Sequence, residues 1–392
     1  MASKIEKIKA FIRRDKGDKV IWIVAILLCI VSVFAVYSTG SKLGDPYHRE
    51  SLWFLFRQHA LFLIVGIGIM YFFSQFNFRL LGKFSRIFLI IAVVLFILTI
   101  VLGISVSGAK RSISILGFEF QTIHAIEVLF VIFMAQWIAR VKNNINDWKR
   151  VYIPMLLFMG VMCMFIGSQK TSAGIILGIT CMVMVFSSQL KGRYIALTIT
   201  GGSIVIGLLV AVLFVSSVGH KAEEIGRIGT FVARIESFLN KDQAHRETIL
   251  TEAAIATGGL SFNPGNSVQT EAVGQSYSDY IYAFIVEEYG LIVGAIVVLL
   301  YLTLFHRVYK ITKYIQSSFG MYLALGLGFL IVFQALTHIC VCNGLFPSTG
   351  ETLPLVSRGG TSILITSFAF SVLLNLSIEA KRDKKKLKEN KL

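Results

Sequence analysis

The chain has 392 residues, of which 55% are hydrophobic and only 15% charged. Soluble domains carry about 25% charged residues, so a soluble globular protein is excluded and lipid is the main solvent. The formal net charge is +16, but Lys and Arg gather at the ends of apolar runs, which reads as membrane topology and contact with anionic lipid head groups and argues against nucleic acid as a partner.

A membrane span needs about 20 mostly apolar residues. Such runs lie near 20–39, 58–75, 84–103, 121–140, 151–168, 172–189, 194–216, 279–305, 319–341 and 359–378. They predict an all-α, polytopic transmembrane helix bundle of about ten spans. The first run is long enough to be a retained anchor rather than a cleaved signal peptide. Most of the 38 Lys and Arg fall on one side of the resulting topology. They include the cluster from Lys4 to Lys19, then Arg79, Lys83 and Arg86, then Arg140, Lys142, Lys149 and Arg150. Lys191, Arg193, Arg307, Lys310 and Lys313 follow, and the series ends in the tail from Lys381 to Lys391. This bias predicts that both termini are cytoplasmic. The expected organisation is a basic N-terminus (1–19), a transmembrane domain (20–378) with a long outer loop (217–278), and a basic tail (379–392).

In that loop Phe231, Ile235 and Phe238 recur at helical spacing, which suits either an interfacial helix or one packed on the bundle. The five cysteines, Cys29, Cys163, Cys181, Cys340 and Cys342, all sit in apolar runs without metal-ligand company. They read as small core residues.

Ionisable residues inside spans are costly and mark function. Here they are His124, Glu127, Lys170, Asp279, Glu287, Glu288 and His338, most of them near the outer ends of their spans. Asp279 opens the eighth span, where a carboxylate serves either as a helix cap or as a general base. At least one of Glu287 and Glu288 must face the interior. The outer loop supplies Arg227, Arg234, Lys241 and Arg246, and Arg suits a bidentate grip on phosphate or pyrophosphate. Gly258-Gly259 and Pro264-Gly265-Asn266-Ser267 form a turn-rich segment whose amides suit an anion. From Asn343 to Ser362 the chain is rich in Gly, Pro and hydroxyls. Irregular backbone at membrane depth has to be buried in protein or line a cavity, so this stretch is expected to wall a polar cavity.

Two of these stretches carry a family resemblance. Pro347 to Ser362 resembles the P-x-T-G-x-x-L-P-x-x-S-x-G-G-x-S signature of the SEDS proteins (shape, elongation, division and sporulation). Tyr277 to Gly290, YSDYIYAFIVEEYG, resembles their D-[FY]-I-[FY]-A-x-x-x-E-E-x-G signature. The wording is most similar to the division-type members, FtsW, with the elongation-type member, RodA, as the near alternative. The resemblance implies an inverting peptidoglycan glycosyltransferase. It would polymerise lipid II, an undecaprenyl-pyrophosphoryl disaccharide-peptide, at the outer face of the bacterial plasma (inner) membrane during cell division. It implies Asp279 as the catalytic carboxylate. Lys170, Arg227, Arg234, Glu288 and Ser357 match motif regions and are expected, with Arg246, to bind substrate. No resident cofactor is implied, although a divalent cation, Mg or Mn, would suit the pyrophosphate. The implied partners are a class B penicillin-binding protein with transpeptidase activity, other divisome membrane proteins and membrane lipids.

The chain also departs from the family pattern. Where the family has G-A-x-R-W, it reads Gly108-Ala109-Lys110-Arg111-Ser112. The family's Gly-rich turn is altered at Ser261-Phe262-Asn263. Where the family has F-Q-P-S-E-x-x-K, it reads Phe120-Gln121-Thr122-Ile123-His124-Ala125-Ile126-Glu127, which predicts an i,i+3 pair of reversed order. The altered stretch 108–127 motivates a rival reading as a catalytically degenerate scaffold. A lipid II flippase is the other rival, and it would call for repeat symmetry and broken helices. No internal repeat is evident.

Overall fold

The computed structural model describes residues 17–42, 49–106, 109–115, 118–200, 238, 246–260, 262, 264 and 278–390. In lipid every backbone N–H and C=O must find an internal partner, so long apolar runs fold as helices. In chain order these are α1 (Lys19–Lys42), α2 (Arg49–Phe73), the short α3 (Arg79–Lys83) and α4 (Ser85–Leu102). After α5 (Thr122–Val141), a π-helical turn (Trp148–Tyr152) leads into α6 (Ile153–Gln169), and then come α7 (Thr171–Phe186) and α8 (Arg246–Gly258). The last three are α9 (Ile281–Tyr314), α10 (Ser318–Cys342) and α11 (Gly360–Glu389). Among the described residues, eight helices are long and apolar enough to cross a membrane. α7 is apolar but shorter. The run expected near 194–216 leaves the described residues after Thr200, and of the Phe231–Phe238 stretch only Phe238 is described.

α5, α10 and α11 form the centre, with two thirds or more of their spanning residues buried, against 17% for α4. α10 packs on α5, α7 and α9, while α2 lies along α11 and α1 along α9. Because lipid is as apolar as a side chain, close approach at small residues drives such packing. At the α6–α7 crossing, a Cβ added to Gly174 would lie 2.6 Å from the Cys163 carbonyl oxygen, so only glycine fits.

The all-α expectation is refined in one place. Between α4 and α5 stands an antiparallel sheet of β1 (Ile104–Val106), β2 (Ala109–Ile115) and β3 (Phe118–Gln121), in the order β1-β2-β3. Ser112, Ile113, Ser114 and Ile115 alternate with the period of a strand. The end of β3 is fixed by the Gln121 N–H, which donates to Thr361 Oγ1 on α11 at 2.9 Å.

At one end of the bundle, charged groups tie the helix termini together. Arg79 pairs with Glu379 at 2.8 Å and Arg307 with Asp18 at 3.4 Å. The Lys381 ammonium donates to the Gly17 carbonyl at 2.7 Å, and the Gln316 N–H to Asp383 at 2.9 Å. The opposite end holds the head of α9.

α9 is not one uninterrupted helix. Gly290 has φ 79° and ψ 166°, a conformation open to glycine and strained for other residues. The amide of Leu291, released by this break, donates to the Gly259 carbonyl at 2.8 Å. Gly259 follows α8 directly, so α8 docks its C-terminus into the break. Contact is so close that a Cβ at Gly258 would clash with the Val286 carbonyl oxygen. Gly258→Ala is therefore expected to destabilise the protein by about 1–3 kcal/mol through overpacking, outweighing the helix-propensity gain of about 1 kcal/mol. Gly160→Ala, in α6 where nothing lies within 4 Å, should be neutral or stabilising. Thermal unfolding in detergent checks both, and equal melting temperatures for the two variants would sink the assignment.

Candidate active site

α5, α7 and α9 begin at the same end of the bundle, α6 and α10 end there, and the irregular segment 343–359 crosses it. Asp279 stands at this end, half-buried, immediately before α9. The cap position of α9 falls on Tyr280, whose side chain makes no capping bond. Asp279 thus lies one residue outside the helix.

Two bonds frame it. Ser357 Oγ donates to the Ser278 carbonyl at 2.6 Å and accepts from the Leu353 N–H at 2.8 Å. On the other side, the Tyr282 N–H donates to His338 Nε2 at 3.4 Å. Tyr280 is buried and donates its hydroxyl to Glu247 on α8 at 3.2 Å. Burial and the neighbouring Glu247 charge push this phenol above its ordinary value.

The segment 343–359 is held from several directions. Leu355 has φ 64°, a conformation that costs a non-glycine residue about 1–3 kcal/mol and persists only where the surroundings enforce it. Here Tyr301 on α9 donates its hydroxyl to the Pro354 carbonyl at 2.6 Å. Ser32 on α1 donates to the Val356 carbonyl at 2.7 Å. Ser32 also lies 2.8 Å from His59 Nε2. A hydroxyl has one proton to give, so His59 is the donor in that contact.

Beside this segment runs a buried polar layer. The Lys170 ammonium, at the junction of α6 and α7, sits 2.9 Å from Glu351, and both side chains are almost wholly enclosed. Ser172 donates to Glu351 Oε1 at 2.7 Å and lies 3.1 Å from the Thr349 carbonyl. Burial works to raise the Glu351 carboxyl, but the Lys170 and His124 charges with the Ser172 hydroxyl outweigh it and hold it below its ordinary value. His338 Nδ1 meets the Glu351 carbonyl oxygen at 2.7 Å. On α5 the reversed i,i+3 pair forms, with His124 Nδ1 3.2 Å from Glu127 Oε2. Gln334 donates to the same oxygen at 3.0 Å.

Of the residues expected from sequence, Ser357 is brought to Asp279 through the carbonyl of the preceding residue, Ser278. Lys170 joins them through Glu351 and His338. Glu287 and Glu288 are both buried on α9, and Glu288 accepts from the Ser38 hydroxyl of α1. Arg227 and Arg234 lie outside the described residues, and Arg246 opens α8. Glu351, Ser172, Gln334 and His59 did not stand out in the sequence. The signal that would have found Glu351 is Lys170 itself, since a cation buried in a bundle requires an anion.

Among the described residues no three His, Cys, Asp or Glu side chains are grouped to hold a metal ion. Glu127, Glu288 and Glu351 are each engaged with separate partners. Among those residues a divalent cation therefore finds no acidic cluster.

The arrangement offers a half-buried acidic residue whose flanking backbone is held by Ser357 and His338. The Geobacter sulfurreducens protein named probable peptidoglycan glycosyltransferase FtsW is 25% identical over 372 residues, covering 94% of this chain and 96% of that protein. Stage V sporulation protein E of Bacillus subtilis is 26% identical over 379 residues, covering 93% and 98%. Among solved structures, a chain of a peptidoglycan synthase complex, described for coordination of polymerization and crosslinking, superposes with TM-score 0.74 at 17% identity over 93% of this chain and 98% of that one. Thermus thermophilus RodA superposes with TM-score 0.60 at 17% identity over 93% and 97%. The family model described as cell cycle protein, spanning FtsW, RodA and SpoVE, matches residues 18–382. With its helix order and almost its whole length accounted for, the chain belongs to the FtsW/RodA/SpoVE family of multi-pass membrane proteins.

Proposed function

We infer that this protein is a peptidoglycan glycosyltransferase of the bacterial plasma membrane. It polymerises lipid II at the outer face in the division-type role, beside a class B transpeptidase. The observation that carries this reading is the placement of Asp279, outside the helix, half-buried and framed by backbone-directed bonds at Ser278 and Tyr282. Relatives of nearly equal length carry the same activity in their names.

In the reaction, the Asp279 carboxylate takes the proton of an acceptor sugar hydroxyl. That oxygen forms a bond to the anomeric carbon of a second lipid-linked saccharide. The bond from this carbon to the lipid pyrophosphate breaks, with inversion, and the pyrophosphate carries the electron pair away. Its charge needs donors preorganised at the leaving oxygen, the role assigned to Arg227, Arg234 and Arg246. Lys170 and Glu288 serve this site from within the bundle, as supports for its walls.

The flippase reading gains one point from the break in α9 at Gly290, because carriers use broken helices. The released Leu291 amide is, however, already bonded to Gly259. The test is polymerisation of purified lipid II in liposomes with the transpeptidase present. Glycan strands support the transferase. Transbilayer movement of labelled lipid II without strands favours the carrier, and bound lipid II with neither outcome favours the scaffold.

A further inference from the structure

Every helix begins with amide donors that its own turns cannot satisfy. At the head of α9 the cap residue Tyr280 offers no side-chain bond, and the donor of Tyr282 is met from another helix by His338. His338 is buried on α10, 1% exposed. Its Nδ1 faces the Glu351 carbonyl oxygen at 2.7 Å. A carbonyl can only accept, so Nδ1 carries the proton. Nε2 is then left as the acceptor that the Tyr282 amide requires. The tautomer is thus fixed by the segment 343–359, and Glu351 is itself pinned through Lys170 and Ser172. Cys342, one turn further along α10, faces the same Tyr282 and Ala283 amides, but a thiol is a weak acceptor.

We infer that His338 is a positioning residue for Asp279. It ties the first turn of α9 to the segment 343–359, while Ser357 ties the residue before Asp279 to the same segment. Asp279 hangs between two anchors on one rigid body, so its carboxylate keeps a single aim. This rests on the reading of Asp279 as general base. Misplacing a catalytic group by about 1 Å can cost on the order of 10²-fold in rate.

Three substitutions separate the tie from bulk packing. His338→Ala removes it. The amide oxygen of Gln reaches about as far as Nε2, so His338→Gln keeps an acceptor for Tyr282. The amide of Asn reaches only the Nδ1 position, so His338→Asn keeps the bond to Glu351 alone. With purified lipid II and the transpeptidase, the Ala and Asn variants should lose on the order of 10²-fold in kcat with KM unchanged, and the Gln variant should recover most of it. A wild-type kcat for His338→Ala, a loss confined to KM, or equal rescue by Asn and Gln would overturn the inference.

Hydrogen exchange gives a readout without turnover. The peptide covering 278–284 should lose protection in His338→Ala while peptides of α5 keep theirs, which also verifies the fold. Unchanged protection at 278–284 overturns the tie. If wild-type protein makes no strands while Asp279 and its surroundings are intact, the proposed function falls, and the catalytic purpose of the tie falls with it.

Discussion

Asp279→Asn is expected to lower the rate of glycan polymerisation by about 10²–10⁴-fold, the usual cost of removing a general base, while leaving the protein folded. The two bonds that frame the residue go to the Ser278 carbonyl and the Tyr282 amide, not to the carboxylate. Asn has nearly the shape of Asp, so neither bond has to break. What Asn cannot do is accept the hydroxyl proton as the acceptor attacks. Substrate affinity should change little, which places the loss in kcat rather than KM. Strand synthesis from lipid II by the purified protein with its transpeptidase measures this, with thermal unfolding alongside. A near-wild-type rate for the variant would remove Asp279 from the mechanism whatever the family resemblance implies.

The second large effect is structural. Lys170→Met should destabilise the protein by about 3–5 kcal/mol, because it leaves the buried Glu351 carboxylate without its cation. Lys170→Met combined with Glu351→Leu should recover most of the loss, since replacing both members of a buried pair with apolar residues is often neutral or better. The pair also sets a pH dependence. The Glu351 carboxyl titrates lower in the folded protein than in a free chain. Its contribution is therefore full at neutral pH and is lost as pH falls below the ordinary carboxylate range. Melting temperatures of the wild type and both variants across that range test the claim. If Lys170→Met melts with the wild type at neutral pH, the pair does not hold segment 343–359 in place.

Much of this architecture was legible in the sequence because lipid leaves a chain few options. An apolar run of span length has to become a helix, and nine of the ten expected runs coincide with described helices. Asp279 and Ser357 were legible for a different reason, since both lie inside short motifs whose spacing is itself informative. The reversed His124–Glu127 pair also followed from spacing, because residues three apart share a helix face.

Contacts between distant segments left no such trace. Glu351 sits at a position the motif leaves open, 181 residues from Lys170 in sequence. His338 reads as an isolated imidazole in an apolar helix until α9 and the segment 343–359 are placed on either side of it. The break at Gly290 is hidden in a run whose hydropathy suits one continuous span, and it becomes visible only when α8 delivers the Gly259 carbonyl to the Leu291 amide. The sequence by itself determined the membrane bundle and the family and singled out Asp279 as a candidate, because hydropathy, charge bias and local motifs are properties of neighbouring residues. The tertiary structure alone decided what holds the backbone on either side of Asp279, because a buried donor, acceptor or charge is satisfied by whichever group the fold brings to it, at any distance along the chain.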